Sequence, residues 1–372
     1  MNKVFKYRIY ANQATLATAN EWLESCRNLY NLCLEQRIYA WKILRKHISW
    51  YAQSKQLTEL KKEYPQLDVI NRDTLENVLK RLDRAYQSFF RRIKSGEKPG
   101  FPRFKSFDRY NSFTFRKYGW KINGKYLSIT KIGKFKMKLS RPIEGEIKEV
   151  FLVKQPGNKW FVCFVCGDIQ PNPLPKTKKI IGIDVGCESF LTDSNGGKIE
   201  NPRFLKHSQD KLKKQQQFLA HKKRGSNRRK IAKHLIAKTH EKIFNQRKDF
   251  HYKVASELLK NNDVICIEKL KSWNAHRTLN KSMRDVAWFQ FFGILKAKAE
   301  EAGRKIIEVP AKNTSKICSS CGQIVQKDLS VRVHSCNCGL IIDRDFNSAL
   351  NILRLGQSLR LVSPLKREYA KA

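Results

Sequence analysis

Acidic side chains are scarce in this sequence: its 372 residues carry 33 Asp and Glu against 75 Lys and Arg, a formal net charge of +42. Self-repulsion on that scale opposes a compact fold unless a large polyanion neutralises it, so nucleic acid is the leading class of partner. Long apolar runs are missing as well. No charge-free stretch approaches the roughly 20 residues needed to cross a bilayer, and Met1-Asn2-Lys3-Val4-Phe5 lacks a signal-peptide core. Those absences exclude a helical membrane protein, leave a membrane surface as the competing polyanion, and point to a cytoplasmic chain. The glycines form no P-loop, and no Ser-His or Cys-His pair is arranged for covalent catalysis. The length suffices for two or three domains.

Cysteine is not scarce, and its spacing is informative. Ten cysteines in a chain this long suit reduced thiols and a metal site better than a disulfide framework. Four come late, as Cys318-Ser319-Ser320-Cys321-Gly322 and Cys336-Asn337-Cys338-Gly339, with fourteen residues, 322 to 335, between the pairs. Two close pairs, each followed by glycine, match zinc knuckles: thiolates supply tetrahedral ligands and glycine lets the backbone turn its amides toward sulfur. Four thiolates leave no open position for water, so the expected Zn²⁺ is structural. The second pair is CxC rather than the commoner CxxC, and His334 lies near enough in sequence to compete as fourth ligand. Cys163 and Cys166 imitate a CxxC motif, but in a strand residues three apart point to opposite faces. Cys26, Cys33, Cys187 and Cys266 read as packed thiols.

The chain is organised around Ile180-Ile181-Gly182-Ile183-Asp184-Val185-Gly186, a short β-branched run bounded by glycine that carries one carboxylate near its end. A carboxylate there needs partners or metal, because burying it alone is costly; a helix N-cap or turn is the bland alternative. Val264-Ile265-Cys266-Ile267-Glu268 repeats the design, and Asp343-Arg344-Asp345-Phe346-Asn347 opens a helical pattern over Ser348 to Leu355. Open α/β sheets gather ligands at the carboxyl ends of their strands. Asp184, Glu268 and Asp345 converging there could hold two Mg²⁺ ions over a phosphodiester.

Taken in order, residues 4–10 alternate as a strand, and helical stripes run from Thr15 through Leu34 and from Asp73 to Ile93. Two prolines and a glycine in 98–105 stop the second helix. From Ser112 to Asp168, short alternating strands with turns at Asn123-Gly124 and Pro156-Gly157-Asn158 predict a small β-barrel or sheet, which the opening strand joins; the helices between are then an insertion. Three prolines in 171–179 mark a linker. After Asp184 comes a hairpin over 189–197. Residues 203–254 follow with 17 Lys or Arg and 3 acids, a difference of +14, and predict two basic helices broken at Gly225-Ser226-Asn227. The Glu268 strand leads through a polar loop to a helix over Asp285–Ala302, and Lys305–Pro310 closes the sheet. Strand, hairpin, helices, strand, helix, strand, cysteine segment and final helix give an order of the RNase H type.

Ile183-Asp184-Val185-Gly186, Asn201-Pro202-Arg203, the Lys222–Lys230 run, Ile267-Glu268-Lys269-Leu270, Thr314-Ser315 before Cys318-Ser-Ser-Cys321-Gly322, and Asp343-Arg-Asp345-Phe-Asn347 stand in the order seen in TnpB proteins of bacterial insertion sequences, relatives of type V CRISPR effectors. The resemblance runs from Tyr7-Arg8-Ile9-Tyr10 to Leu353. It implies a multidomain α/β protein: a β-barrel, wedge-like domain (1–14 and 98–170), a helical recognition insertion (15–97), a linker (171–179), an RNase H-like (RuvC) nuclease (180–310 and 341–372) and an inserted zinc-ribbon-like element (311–340). The implied activity is RNA-guided DNA cleavage beside a short transposon-associated motif. Partners would be a guide RNA from the transposon end and double-stranded target DNA, with one protein chain per RNA and nucleoid association when bound to DNA. By the family motif Asp184, Glu268 and Asp345 are the Mg²⁺ ligands, and Asp343 is a cap or supporting group. Nucleic-acid contacts are expected at Trp50, Ser54, Arg72, Glu76, Thr114 and Phe115, and at Lys222, Lys223, Arg224, Arg228 and Arg229. Competing readings are a guide-independent structure-specific nuclease, a catalytically silent guided DNA-binding protein, and a transposase.

Overall fold

The computed structural model describes residues 1–116, 118–270, 277–328 and 330–368, and gives backbone alone for 108, 277–281 and 360–368. The polar loop read after Glu268 falls largely in 271–276, outside the described residues. Two compact units divide at Ile169/Gln170.

In the first unit, β1 (Lys3–Tyr10) is followed by α1 (Gln13–Leu44), α2 (Trp50–Glu63), α3 (Pro65–Asp68) and α4 (Arg72–Lys94). Six strands come next: β2 (Ser112–Phe115), β3 (Trp120–Asn123), β4 (Tyr126–Ile129), β5 (Gly133–Lys138), β6 (Glu146–Gln155) and β7 (Lys159–Gly167). They form one antiparallel seven-stranded sheet in the order β2-β6-β7-β1-β5-β4-β3, so the opening strand does join the later ones and the helices are inserted between. Alternation explains β1: Phe5, Tyr7 and Ile9 point into the core while Val4 and Tyr10 are exposed. Polar side chains start the helices, with Asn12 Oδ1 accepting from Thr15 N at 2.8 Å and Asn71 Oδ1 from Asp73 N at 2.9 Å. Leu75, Val78, Leu79 and Leu82 of α4 and Trp22 of α1 share one core with Phe113, Phe115 and Phe164 of the sheet. The rings of Trp120 (β3) and Phe164 (β7) lie 6.5 Å apart. In a flat sheet four strand spacings of about 4.8 Å would separate them by roughly 19 Å, so this sheet is strongly curled. α2 and α3 fall within the helical insertion expected over 15–97 but between its two apolar stripes.

The second unit opens with 170–179 packed along it through Asn172 N to Glu301 O at 2.9 Å and Leu174 N to Ala302 O at 3.1 Å. Then come β8 (Ile180–Asp184), β9 (Ser189–Asp193), β10 (Lys198–Glu200), α5 (Phe204–His207), α6 (Gln209–Ala220), α7 (Asn227–Asn261), β11 (Val264–Lys269), α8 (Arg277–Val286), α9 (Trp288–Glu301) and β12 (Lys305–Pro310). A small hairpin, β13 (Val333–Ser335) and β14 (Ile341–Asp343), precedes α10 (Arg344–Glu368). The sheet order is β10-β9-β8-β11-β12, with β8, β11 and β12 parallel and β8, β9 and β10 antiparallel. This is the RNase H-type order expected from the sequence. One expectation is corrected: no single helix spans 285–302. Asp285 lies in the last turn of α8, where its carboxylate accepts from the amides of Leu205 (2.9 Å) and Lys206 (3.2 Å) and pairs with Arg247 at 3.3 Å; Ala287, at φ 54°, breaks the helix before Trp288.

Candidate active site and four-cysteine centre

Parallel pairing aligns Ile183 with Ile267, so the next residues, Asp184 and Glu268, come side by side at the carboxyl ends of β8 and β11. Ile181, Ile183, Ile265 and Ile267 point into the core shared with α7 and α9. By alternation the two acids share the opposite face with Ile180 and Cys266, which pack against Ile352 and Leu355 of α10. That helix crosses β8 in backbone contact at Gly182. A Cβ there would lie 2.3 Å from Ala349 O and 2.6 Å from Leu353 N, so glycine two residues before Asp184 sets the depth at which α10 docks. Asp345 sits in the first turn of α10, its Oδ2 3.9 Å from where a Cβ on Gly186 would be. The third acid is thereby delivered to the loop that leaves Asp184.

The electrostatics match this convergence. Burial, and then the neighbouring carboxylates of Glu268 and Asp345, push Asp184 well above the usual carboxylate range; a hydrogen bond from Ser348 and the charge of Arg344 work in the opposite direction. Burial also raises Glu268, against the hydrogen bond that Thr314 Oγ1 donates to its Oε1. Arg344 grips Asp345 Oδ1 through Nε (3.1 Å) and Nη2 (3.0 Å). Asp343 is differently employed. Its Oδ1 accepts from the amides of Asp345 (2.9 Å) and Phe346 (3.0 Å), and its Oδ2 pairs with Lys198 Nζ at 2.8 Å, the geometry of a helix cap. Burial works upward on it, but Lys198 and those amides outweigh burial and hold it low.

A carboxylate raised by burial and by two neighbouring acids, as Asp184 is, belongs to a donor set suited to divalent cations, which remove the repulsion. Among the described residues, the cysteines form the one group of three or more ligands whose donor atoms all lie within 4.8 Å of one another.

The four cysteines do meet. Cys318 Sγ lies 3.6 Å from Cys338 Sγ, and Cys321 Sγ 3.5 Å from Cys336 Sγ. A tetrahedron of about 2.3 Å zinc–sulfur bonds has edges of about 3.8 Å, so the residues fit the ion. Gly322 and Gly339 adopt φ of 80° and 90°, which an L side chain would resist, and the CxC spacing of the second pair proves compatible with the cluster. Burial pushes the Cys318 thiol up, but hydrogen bonds from the amides of Cys321 and Ser320 and from His334 outweigh it and bring it down to about 6. His334, the sequence-level competitor, is buried and engages Lys327 Nζ at 2.5 Å through Nδ1.

The expected nucleic-acid contacts divide into two groups. Trp50, Arg72 and Glu76 reach the surface of the first unit, with Lys80 over the Trp50 ring and Arg72 Nε on Glu76 Oε1 at 3.2 Å. Ser54, Thr114 and Phe115 are buried, so the expectation that they meet a duplex is corrected. Phe115 fills the core, and Thr114 takes Thr74 Oγ1 on its carbonyl (2.9 Å) and Arg81 Nη2 on its hydroxyl (3.0 Å). In the second unit Lys223, Arg224 and Arg228 are exposed at the turn between α6 and α7, with Lys222 over the Phe218 ring. Arg229 is spent on structure: its Nη1 binds the carbonyls of Leu219 (2.8 Å) and Lys222 (2.9 Å), stitching α6 to α7.

Sequence reasoning missed the polar groups behind the acids. Ser348 sits on Asp184 and Thr314 on Glu268, while the Asn347 and Asn351 amides bind the backbone between Thr314 and Ser319. The available signal was the spacing of 347, 348 and 351 on one helical face beside apolar neighbours.

An RNase H-like sheet joined to a four-thiol centre fits a RuvC-like, zinc-ribbon-containing arrangement. Residues 163–278 match a family model described as "Probable transposase", 288–352 one described as "Cas12f1-like, TNB domain", and 1–47 one described as "Helix-turn-helix domain". A "Putative RNA-guided DNA endonuclease" of Streptomyces pristinaespiralis is 31% identical over 367 residues, covering 96% of this chain and 90% of the relative. "Putative RNA-guided DNA endonuclease InsQ" of Escherichia coli K12 is 27% identical over 386 residues, covering 96% and 93%. "TnpB-like protein L770" of Acanthamoeba polyphaga mimivirus is 29% identical over 239 residues, covering 59% and 46%. The chain belongs to the TnpB family. Among solved structures, the Cas12f1–sgRNA–target DNA complex aligns over 95% of this chain and 99% of that one at TM-score 0.36 and 18% identity. Cas_phi3 aligns over 96% and 92% at 0.45 and 9%. Scores at that level do not define a shared fold. The first matched segment name also differs from the architecture: 1–47 hold one strand and one long helix.

Proposed function

We propose that this chain is an RNA-guided DNA endonuclease of an insertion sequence, cutting target DNA beside a short transposon-associated motif. The observation that carries the reading is the parallel register that sets Asp184 beside Glu268 on the face where α10 begins with Asp345. The full-length likeness to relatives named as RNA-guided DNA endonucleases supports it.

In this reading Asp184, Glu268 and Asp345 hold two Mg²⁺. The ions, when bound, activate a water and stabilise the leaving oxygen of the phosphodiester. The chain's own part is positional. Two acids stand on rigid strand ends, Ser348 and Thr314 orient them by hydrogen bonds, and Arg344 fixes the third from beside it. The four cysteines hold a structural Zn²⁺. A guide RNA from the transposon end is bound through its phosphates by exposed cations, among them Lys223, Arg224 and Arg228, and base pairing then selects the target. The first unit, a wedge-like barrel with its helical recognition insertion, offers Trp50, Arg72 and Glu76 to the RNA scaffold and the duplex beside the target. No helix among the described residues is long and apolar enough to cross a membrane. The protein acts in the cytoplasm and on the nucleoid, one chain per RNA.

The test is digestion of a plasmid bearing a matched target, with and without RNA transcribed from the element's end. Cutting that needs both RNA and Mg²⁺ is expected; equal cutting without RNA would leave a guide-independent nuclease. Joining of transposon ends by the purified protein would favour a transposase.

A further inference from the structure

We infer that Thr314 is a positioning residue for Glu268 and that the four-cysteine centre sets where Thr314 stands, so that metal at the cysteines governs ion affinity at the acids. The inference rests on the proposed nuclease site and concerns how that site is held together.

Thr314 is 3% exposed, in the turn between β12 and the first cysteine pair, and its hydroxyl donates to Glu268 Oε1. Its own carbonyl accepts from Asn351 Nδ2 at 2.9 Å. Three residues on, the Ile317 carbonyl accepts from both Asn347 Nδ2 and Asn351 Nδ2, each at 2.7 Å, and the Ser319 amide donates to Asn347 Oδ1 at 2.9 Å. Cys318, fully buried, lies between those two anchor points. Asn347 and Asn351 are themselves buried on the face of α10 that carries Ser348, the donor to Asp184.

One hydrogen-bonded frame therefore runs from the first cysteine, through two asparagines, to the hydroxyls on two of the three acids. Buried amides are costly unless satisfied, so the frame is rigid only while each carbonyl stays where its partner expects it. Without metal the 318–321 and 336–338 turns are joined at their thiols only by weak sulfur hydrogen bonds, and loosening of Cys318 passes directly to Ile317 and Thr314. Groups that orient a metal ligand without touching the metal commonly change affinity by about 10–100-fold when removed. A threonine hydroxyl on one carboxylate oxygen also leaves the other oxygen free for an ion.

The experiment titrates the zinc-loaded full-length protein with Mn²⁺, followed by the loss of the free-ion electron paramagnetic resonance signal. Thr314→Val should weaken Mn²⁺ binding about 10-fold or more, with zinc content and RNA affinity unchanged, and Thr314→Ser should restore wild-type affinity. Stripping zinc from the wild type should weaken Mn²⁺ binding as Thr314→Val does. Wild-type Mn²⁺ affinity in Thr314→Val, weak binding in Thr314→Ser, or indifference to zinc would each overturn the inference. Asp184→Ala separates the two levels: if it loses Mn²⁺ while Thr314→Val does not, only the positioning role fails; if it keeps full binding, the nuclease site fails with it.

Discussion

Asp184 shows at the scale of one residue what the fold tolerates for its site. It sits among buried groups and faces two further carboxylates, with a serine hydroxyl and Arg344 as partial compensation. In divalent-free buffer its charge opposes folding. Asp184→Asn should raise the melting temperature of the metal-free protein by about 2–4 °C for each kcal/mol of repulsion relieved. Added Mg²⁺ should then stabilise the wild type more than the variant. Calorimetry with and without Mg²⁺ checks both, and a lower melting point in the variant would mean the acids are not crowded. The same substitution, like Glu268→Ala, should abolish cutting and leave RNA binding nearly intact. Gly182 is the steric counterpart. Because a Cβ there would press on backbone atoms of α10, Gly182→Ala should cost roughly 1–3 kcal/mol and reduce cutting by moving Asp345, although residue 182 touches no substrate. An unchanged melting curve with full activity would show that α10 can shift without consequence.

Elements differ in how far the sequence betrays them. The acid-bearing strands were legible because burial on both faces leaves a continuous β-branched run with a single charge at its end, and the cysteine turns because ligand spacing and glycine are local. That the opening strand joins the later sheet was legible from its alternation, whereas its neighbours there, β5 and β7, are set by long-range pairing. Harder features were those decided by tertiary contact. Ala287 breaks a pattern that reads as one helix, since Asp285 is committed to capping α5 and pairing with Arg247. Thr114 and Phe115 look like surface candidates, yet α1 and α4 cover them. Asn347, Ser348 and Asn351 are polar residues in a helix, which sequence alone assigns to solvent. Their burial against the cysteine segment makes that segment part of the nuclease element. Replacing Cys318 and Cys321 by serine should remove zinc, measured by elemental analysis, and lower the melting temperature of the second unit, because a structural zinc contributes folding free energy directly. Zinc retained by the double variant would mean the four-thiol geometry is not the binding site.

At the scale of the molecule, the charge of +42 exceeds anything the folded ion pairs consume. Several acids are committed to cations close by, as in Arg37–Asp83, Arg304–Asp263 and Lys296–Glu308, and the excess cations at the α6–α7 turn face solvent. A protein that neutralises phosphates releases their counterions, so the logarithm of affinity should fall linearly with the logarithm of salt concentration. For 6–10 phosphate contacts the loss between 50 and 200 mM salt is about 10³–10⁵-fold. Replacing Lys223, Arg224 and Arg228 together by glutamine should weaken RNA binding at low salt and reduce the slope by about one for each lost contact. That reduction is expected on any RNA sequence, because neutralising phosphate charge carries no base information. Filter binding of the transposon-end RNA across a salt series reads out slope and intercept together. A slope unchanged by the triple substitution would move the RNA-binding face away from this turn, and a flat profile in the wild type would give the surplus charge a purpose other than nucleic acid.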